Sequence, residues 1–576
     1  MSDRFVCGKN TPHLRNATMP NDPELEHDEQ TVSRRTMLAG GAGLAALSAT
    51  QLVSGCAASS GQAAAVSVAE TIRNTPCAPF DSFRDYIEAI EAHGLVLRLP
   101  RIDQDAYELA ALMYRLTDEY GWYEAPCIIA EEVKIDGKWV TGPVIVNHMG
   151  HWFTEAITFG VELVPDDGVA TYRKTMKKLE GMLVDGEYPT IAPVEVARDE
   201  AACKEFVLLG DDIDLTRFAF IQSNPADSRR YVNTGSSFTY GPVIGKNFGA
   251  YRCELRGPRL LGFNPEPNQT AWRTLMAAKE RGEKSVRISI ALGLDPVIWT
   301  ISSSRIVNRM SKKQVDELAV AGGMRGKPVK VVRSETNDHM VPASAEMIIE
   351  GEVPLDDLMP EGPFGEMYGY LGDKREANFI INVLAVTHRK NPWILNQFTG
   401  ATRGYATAPT AVLFNTSLRR LVPNLIELHS PVDATGLTYI RIRKTRPGEG
   451  LQAGQRLASI IPIFKVVIVV DEDVDVLDTQ QVNHAIGSRW MPKTATKIVE
   501  NVRAMGLDPS RDIDGKVSKI VIDATKQWSE ENGPEVFPRL NRALLEELAP
   551  ESFELVDRKW GGVIKRKTRT FGPVSG

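Results

Sequence analysis

The chain has 576 residues, a net charge of -7 and an isoelectric point of about 5.9. This length exceeds what one hydrophobic core holds, and at about 150 residues per domain it predicts roughly three domains. The 43% hydrophobic and 24% charged residues are typical of a globular protein that is neither disordered nor membrane-spanning. The acidic balance argues against a nucleic-acid partner bound through phosphates, so we expect small-molecule ligands.

The first 56 residues have the pattern of an export signal. Arg34 and Arg35 precede an apolar, Ala/Gly-rich stretch up to Val53, and this twin-arginine pattern is typical of the Tat pathway, which exports folded proteins. The stretch ends in LVSGC, which resembles a lipoprotein processing site with Cys56 as the lipidated residue. The alternative is a cleaved secretory peptide with an incidental cysteine. We therefore expect a lipoprotein on the outer face of the cytoplasmic membrane, in contact with the membrane only through its lipid anchor.

Residues 57–78 are rich in Ala, Ser, Gly and Gln and predict a flexible tether. The nine histidines and six cysteines of the chain are scattered, with no HExxH and no CxxC pair. A histidine-built zinc site, an iron–sulfur cluster and a disulfide framework therefore have little support.

Residues 79–205 alternate between helical and extended patterns and predict an α/β or α+β domain. The first helix is expected directly after Asp81 and Ser82, which have the side chains of N-terminal caps, and Gly94 is expected to end it. A strand should follow over residues 95–99.

Residues 206–375 consist of short β-type runs broken by glycine, proline and asparagine, which predict a barrel or a sandwich. One helix is expected from Gln269 to Arg281, and a second over residues 312–321. Residues 376–576 return to alternating strands and helices. There, the apolar run that starts at Lys465 predicts a buried parallel strand that ends at a functional edge. The basic tail over residues 558–569 predicts a solvated surface.

The segment PEGPFGEMYGY, residues 360–370, places Glu361 and Glu366 five residues apart. Its glycines and proline exclude a long helix and predict a tight turn that would hold both carboxylates. Paired carboxyl groups can keep one proton mobile near neutral pH, because burial and repulsion raise the pKa of one while an arginine keeps the other ionised. A surface turn with two solvated glutamates is the alternative.

The turn at 360–366 is one of five motifs that follow one another in order along the chain. With them, residues from 81 to 470 resemble the UbiD-like decarboxylase family, whose members use prenylated flavin mononucleotide (FMN). The resemblance implies an α/β plus β-barrel fold, with an N-terminal α/β domain, a central split β-barrel of flavin-reductase type and a C-terminal α/β domain. The motifs are KNFGAYR at 246–252, ALGLDP at 291–296, DELAVAGGMRGKPVKVV at 316–332, VPASAEMIIEGEV at 341–353 and PEGPFGE at 360–366.

The catalytic network of the family matches Arg252, Glu361 and Glu366. Strand alternation in GAYRCELRG places Tyr251 and Cys253 on one face and Arg252 on the other, so Arg252 can point into a polar cavity. A guanidinium there can orient a substrate carboxylate and keep one glutamate ionised. The other can act as general acid on the carbon that loses carbon dioxide. We expect Glu366 to be this proton donor, with Glu361 and Arg252 as the orienting pair.

The resemblance also implies a Mn2+ ion and a K+ ion beside the flavin phosphate. Of the family's metal ligands, Asn247 and Glu317 match, and oxygen donors suit a hard octahedral ion. The family histidine is absent. Three alternatives stay open: Glu266 ligates in its place, Asn268 does, although it also has the side chain of a helix cap, or the metal is lost. For the flavin, Lys465 matches the lysine that contacts the phosphate, and Ser303 and Ser304 match the region of potassium and flavin contacts.

The implied function is reversible, non-oxidative decarboxylation of an aromatic or α,β-unsaturated carboxylic acid. A flavin prenyltransferase would supply the cofactor before export, and the resemblance implies a homodimer or a homohexamer. An exported protein of the same fold that binds a ligand or a flavin without decarboxylase activity is the alternative. An oxidoreductase with ordinary FMN is a third possibility.

Overall fold

A computed structural model describes residues 75–267, 269–304, 306, 315–564 and 567–574. The export signal, nearly all of the tether and Asn268 lie outside these residues, so the predictions made for them stay predictions. The described residues belong to one compact unit, Val66–Gly576. Within them, each helix is too short or too polar to cross a membrane.

Several helices of the described residues begin at a polar side chain that accepts a hydrogen bond from the first turn. Ser82 caps the first helix, as the sequence predicted, and forms a reciprocal capping box with Asp85, while Gly94 follows the end of the helix with a positive φ of 71°. The helices α1 to α12 are Phe83–Ala92, Glu108–Tyr120, Trp152–Thr158, Gly168–Gly181, Thr270–Glu280, Pro296–Ser303, Glu317–Arg325, Ala408–Leu418, Glu449–Ile460, Thr479–Arg489, Asn541–Leu548 and Glu551–Ile564.

The strands of the described residues divide among four sheets. In chain order, β1 to β22 are Val96–Asp103, Cys127–Ile135, Lys138–Val146, Val194–Glu195, Phe206–Leu209, Tyr231–Val232, Ser236–Gly241, Gly245–Ala250, Cys253–Gly257, Leu260–Phe263, Ser285–Leu292, Lys330–Arg333, Met340–Pro342, Met347–Pro354, Leu358–Glu361, Arg375–His388, Ile394–Asn396, Leu425–His429, Leu437–Ile442, Val466–Asp471, Thr496–Arg503 and Lys516–Asp523.

The largest sheet is antiparallel and carries the residues of greatest interest. Its order is β6-β9-β10-β16-β14-β11-β7-β8, and both β15 and β5 pair with β16. The order has two ends, at β6 and β8, so the described strands form an open half-barrel. A closed barrel is not what the structure shows.

The described residues form three smaller sheets as well, of which the smallest is β13-β12-β4. The sheet β1-β2-β3-β17 and the sheet β18-β19-β20-β22-β21 both mix parallel and antiparallel pairs. The sequence division at residue 375 stays a prediction, but the strand Arg375–His388 pairs inside the large sheet and Ile394–Asn396 pairs with β3. Residues after 375 therefore enter both earlier sheets, because neighbours in a sheet need not be neighbours in the chain.

The predicted helices and the buried strand are present with shifted ends. The predicted helix Gln269–Arg281 corresponds to α5. The second helix expected over residues 312–321 begins at Glu317, and residues 307–314 lie outside the description. The strand after Lys465 is parallel to both neighbours, β19 and β22.

The described residues of the basic tail, 558–569, are mostly exposed, as the sequence predicted. Residues up to Ile564 form α12, and residues after the tail return to the first sheet, where Val574 N donates to Arg98 O at 2.9 Å. The Phe571 and Tyr120 rings lie 5.3 Å apart at a steep angle. No local pattern indicates these contacts, because they join segments that are far apart in the sequence.

Candidate active site

Arg252 lies where β8 ends and β9 begins, and its neighbours place its side chain. Tyr251, Cys253 and Leu255 are buried in the core under the sheet, as strand alternation predicted. Arg252 faces the other way and is only 11% exposed. Its guanidinium lies over the Phe364 ring, 5.0 Å from the centroid. A cation buried to this degree requires anionic partners.

Both predicted glutamates are these partners. Arg252 Nε and Nη2 donate to Glu361 Oε1 and Oε2, each at 3.0 Å, and Nη1 donates to Glu366 Oε1. The Glu361 side chain is 1% exposed and that of Glu366 11%. The structure therefore brings together the three residues of the proposed network, and a turn with two solvated glutamates is excluded.

The turn that carries the glutamates is built as its sequence predicted. Glu361 ends β15, which pairs with β16, and Glu366 N donates to Tyr370 O at 2.9 Å. Gly369 adopts a positive φ of 78° and donates its N–H back to Glu366 O at 2.9 Å. Backbone hydrogen bonds thus fix Glu366 at the start of a closed turn.

Sequence reasoning missed two residues that hold this turn. Asp227 Oδ1 accepts the N–H of Gly365 at 2.9 Å, and Tyr231 donates its hydroxyl to Glu361 Oε1 at 3.1 Å. Both lie more than a hundred positions before their partners, so no local spacing could have indicated them. Only the pairing of β6 with β9 brings Tyr231 beside Arg252.

The two carboxyl groups have different surroundings. Glu361 accepts three hydrogen bonds, two of them from the Arg252 guanidinium. Burial raises the pKa of the Glu366 carboxyl, and Arg252 opposes this shift while the charges of Glu266 and Glu361 add to it. The arrangement is suited to a proton held on Glu366.

Two of the predicted metal ligands have surroundings that suit a cation. Asn247 on β8 is 5% exposed and its Nδ2 donates to Thr239 Oγ1 at 3.2 Å, which leaves its amide oxygen as the ligand atom. Burial and the adjacent charge of Asp316 raise the pKa of Glu317 to about 7, against the influence of Lys246. A carboxylate so destabilised would gain from a bound cation, so these residues fit a metal site.

The third ligand is less straightforward. Arg375 Nη2 donates to Glu266 Oε1 in an ion pair. Glu266 would have to exchange this partner for a metal ion, and Asn268 is not described. Among the described residues, no group of three or more His, Cys, Asp or Glu side chains is close enough to hold a metal. A site here would therefore depend on amide or phosphate oxygens as well.

The residues matched to flavin contacts lie in two places. Ser303 and Ser304 end α6 and donate their hydroxyls to the carbonyls of Trp299 and Thr300 in the same helix. Lys465 Nζ donates to Asp508 Oδ1 at 2.9 Å. The lysine that the resemblance matched to a flavin-phosphate contact therefore pairs with an aspartate here.

A cavity of about 1570 Å³ lies beside these elements. Ser303, Ser304 and Asp316 line it, together with His429 and Met367. Burial lowers the pKa of His429 to about 4. Arg252 and its two glutamates are not among the lining residues, although Met367, which directly follows Glu366 in the chain, is one of them. The volume exceeds the range of about 300–1,000 Å³ usual for one small ligand, so a cofactor and a substrate could bind together.

Two family models match this chain. Residues 194–402 match the 3-octaprenyl-4-hydroxybenzoate carboxy-lyase Rift-related domain, and residues 405–524 match the C-terminal domain of the same carboxy-lyase. Together the two matches span more than half of the 576 residues. The chain belongs to the UbiD family of carboxy-lyases. The resemblance inferred from the five motifs is therefore confirmed, and all three network residues lie inside the first matched region.

This UbiD-family chain aligns with nearly the whole length of several relatives. A phenolic acid decarboxylase of Bacillus subtilis is 28% identical over 462 residues, which cover 77% of this chain and 92% of the relative. The solved vanillic acid decarboxylase of Sedimentibacter hydroxybenzoicus is 24% identical, with a TM-score of 0.69 over 83% of this chain and 100% of that chain. HmfF of Pelotomaculum thermopropionicum, solved with FMN, is 25% identical, with a TM-score of 0.67 over 82% of this chain and 100% of that chain.

The acidic edge after β20 is not the functional edge that the sequence predicted. Arg489 Nη1 donates to Asp471 Oδ2 at 3.0 Å and to Asp473 Oδ1 at 2.8 Å, and Lys526 also pairs with Asp473. These carboxylates are used by structural ion pairs of the C-terminal sheet. The candidate active site of this UbiD-family enzyme lies instead at Arg252.

Proposed function

We propose that this carboxy-lyase catalyses the reversible, non-oxidative decarboxylation of an aromatic carboxylic acid with prenylated FMN. The observation that carries the proposal is one buried guanidinium bound to two carboxyl groups, with Nε and Nη2 on Glu361 at 3.0 Å and Nη1 on Glu366. A protein that only binds a ligand has no need of a protonated carboxyl group held beside an arginine. An α,β-unsaturated acid is the other substrate class that the family resemblance implies.

Each residue of the network has a separate task. Arg252 orients the substrate carboxylate, because a planar guanidinium binds carboxylates in a defined geometry. Glu361 keeps the guanidinium in place through two hydrogen bonds. Glu366, protonated because burial raises the pKa of its carboxyl group, gives its proton to the carbon that has lost carbon dioxide. In the reverse direction the same carboxylate removes that proton.

The residues present fit the implied cofactor and its metal. Asn247 and Glu317 would hold the divalent ion, as the raised pKa of Glu317 supports, with Glu266 as a candidate third ligand. Lys465, Ser303 and Ser304 would contact the flavin and its phosphate, and K+ would lie near the serines. When bound, prenylated flavin supplies an electron sink for the charge left by the departing carboxyl group.

The relatives support the substrate class. Those that match over most of the chain include a phenolic acid decarboxylase and a vanillic acid decarboxylase, both of which act on aromatic acids by name. HmfF has been solved in complex with prenylated FMN and with FMN. A flavin prenyltransferase as cofactor supplier, export of the loaded protein through the Tat pathway, a lipid anchor at Cys56 and a homodimer or homohexamer complete the proposal.

The test is co-expression of the protein with a flavin prenyltransferase, followed by mass analysis of the released small molecule and manganese analysis of the same sample. The protein is then assayed for carbon dioxide release from a panel of aromatic acids. We expect prenylated flavin, bound manganese and release from at least one acid, with no release by Glu366→Gln. Ordinary FMN with redox activity would favour an oxidoreductase, and a ligand without turnover would favour a binding protein.

A further inference from the structure

A chain of four oxygen-bearing side chains leads away from the candidate active site. Tyr231 donates its hydroxyl to Glu361 Oε1 at 3.1 Å, and the same hydroxyl lies 2.9 Å from Ser228 Oγ. Ser228 Oγ in turn donates to Glu254 Oε1 at 2.6 Å. All three gaps have the length of hydrogen bonds between oxygens or nearly so. Glu361 and Glu254 are thus joined by two hydroxyl groups.

When both carboxylates are ionised, this chain of side chains has one hydrogen too few to form a hydrogen bond between every pair of neighbouring oxygens. Ser228 and Tyr231 have one hydroxyl hydrogen each, whereas three oxygen pairs lie at hydrogen-bond distance. One further proton, on Glu254 or on Glu361, fills every gap. The chain can therefore take up a proton at one end and release another at the opposite end without any heavy atom moving far.

The chain is buried at both ends and comes nearest to solvent in its middle. Tyr231 and the Glu361 side chain are 1% exposed and the Glu254 side chain 3%, whereas Ser228 is half-buried and the Arg229 side chain, 4.0 Å from Glu254, is 58% exposed. Neither Tyr231 nor Ser228 lines the large cavity. A proton that moves along this chain therefore does not have to cross the space expected for cofactor and substrate.

Charged groups surround both ends of the chain. Arg256 Nη2 donates to Glu254 Oε2, and Arg229 Nε lies 4.0 Å from Glu254 Oε1. At the other end Arg252 binds Glu361. Burial and the charge of Glu361 raise the pKa of Tyr231, so its phenol keeps the hydrogen that it donates. Each carboxylate thus has a cation beside it.

We propose that Glu254, Ser228 and Tyr231 form the path by which the active site regains a proton after each turnover. The inference rests on the proposed function, in which loss of carbon dioxide consumes one proton from Glu366. Glu254 passes its proton to Ser228 Oγ, Ser228 passes its own to the Tyr231 hydroxyl, and Tyr231 passes its own to Glu361. Both hydroxyl groups are regenerated, one proton has moved and no electrons are transferred. A water molecule carries it from Glu361 to Glu366, which share the Arg252 guanidinium.

The matched variants are Ser228→Ala and Ser228→Thr. Ser228→Ala removes the middle oxygen and leaves the bond between Tyr231 and Glu361 unchanged, whereas Ser228→Thr keeps a hydroxyl at the same position. A half-buried site tolerates either side chain. Tyr231→Phe breaks the chain one step nearer to Glu361 and serves as a second variant if Ser228→Ala does not fold.

The first measurement compares first and later turnovers of the loaded enzyme by rapid quench. Because Glu366 already holds a proton, Ser228→Ala should complete its first turnover at the wild-type rate and later turnovers about tenfold more slowly. Ser228→Thr should match the wild type throughout. Equal slowing of first and later turnovers would mean a merely structural role, and an unchanged steady-state rate would mean another path; either result overturns the proposal.

The second measurement needs no substrate. Infrared spectroscopy follows the band of protonated carboxyl groups after transfer of the folded protein into D2O. We expect the band of the buried site to exchange more slowly in Ser228→Ala than in the wild type and in Ser228→Thr. Equal exchange in all three overturns the path. If the wild type shows Ser228-dependent exchange yet releases no carbon dioxide from any acid, the path stands and the proposed function fails.

Discussion

Arg252 and Glu361 form a bidentate ion pair, with both nitrogen–oxygen distances at 3.0 Å, although 109 positions separate them in the chain. The pair is nearly inaccessible to solvent, with side chains 11% and 1% exposed. Buried ion pairs of this geometry are strongly coupled, so removal of one partner leaves an uncompensated charge. Glu366 binds the remaining nitrogen of the guanidinium, which places the proposed proton donor on a rigid support.

Glu366→Gln tests the general acid. An amide cannot transfer the proton, so we expect kcat to fall by about 10²–10⁴-fold while ligand affinity stays within about threefold of wild type. Glu376→Gln is the control, because this exposed residue lies on the same sheet and pairs with Lys374 at the surface. Kinetics and ligand titration of both variants check the prediction. Full activity of Glu366→Gln would assign the proton to another group.

The pH dependence of decarboxylation follows from the same residue. Burial raises the pKa of the Glu366 carboxyl group, so its protonated, active form persists to a higher pH than that of an exposed glutamate. The rate should be constant at low pH and fall as the pH rises through this raised pKa. The reverse reaction, which needs the ionised form, should rise over the same range. A profile of kcat against pH measures both, and a forward rate that increases with pH would contradict the assignment.

Gly372 tests how closely the turn confines Glu366. A Cβ atom at this position would lie 2.7 Å from Glu366 Cγ and 2.9 Å from Oε1, so Gly372→Ala must push the carboxyl group away from Arg252. Since small misplacements at a reacting centre can cost about 10²-fold in rate, we expect a loss of 10–10²-fold in kcat. In Gly365→Ala of the same turn, the new Cβ would meet only Asp227 Oδ1 at 3.9 Å, and this control should keep its activity.

The metal site can be tested by removal of single ligands. Glu317→Gln should weaken Mn2+ binding by at least about 10–100-fold, because the amide lacks the charge that the ion would neutralise. Glu266→Gln should have a much smaller effect, since Arg375 already binds that carboxylate. Calorimetric titration of manganese into metal-free protein measures both. A larger loss in Glu266→Gln than in Glu317→Gln would identify Glu266 as a primary ligand.

Arg403 and Glu155 are predicted to determine much of the stability. Arg403 Nη1 donates to Glu155 Oε1 at 2.8 Å, and both side chains are at most 1% exposed. Glu155 also accepts the N–H of Ala408 at 2.8 Å, so the pair holds the segment between the two matched domains. Arg403→Ala should lower the free energy of unfolding by about 3–5 kcal/mol.

Denaturant unfolding with Arg419→Ala as control checks this prediction. Arg419 pairs with Glu180 at the surface, where both side chains are more than 40% exposed, so its loss should cost less than about 1 kcal/mol. Similar losses of unfolding free energy in the two variants would mean that the buried pair stabilises the fold no more than a surface pair does.

Local sequence patterns predicted individual elements well. The capping box at Ser82, the alternation around Arg252 and the turn that holds Glu366 all depend on residues within a few positions of one another. Motifs in order along the chain were enough to identify the family, because each motif is local. The open sheet, the return of the C-terminal residues to β1 and the pairing of Ile394–Asn396 with β3 join distant segments, and no local pattern indicates them.

The sequence alone was enough to single out Arg252, Glu361 and Glu366 as candidates, because all three lie in motifs of the family. Their partners could be read only from the folded chain. In the fold, Lys465 pairs with Asp508, Arg375 with Glu266, and Tyr231 donates to Glu361. The physical reason is that a buried charge or hydroxyl must find a partner wherever the fold brings one near, and that partner can come from any part of the chain.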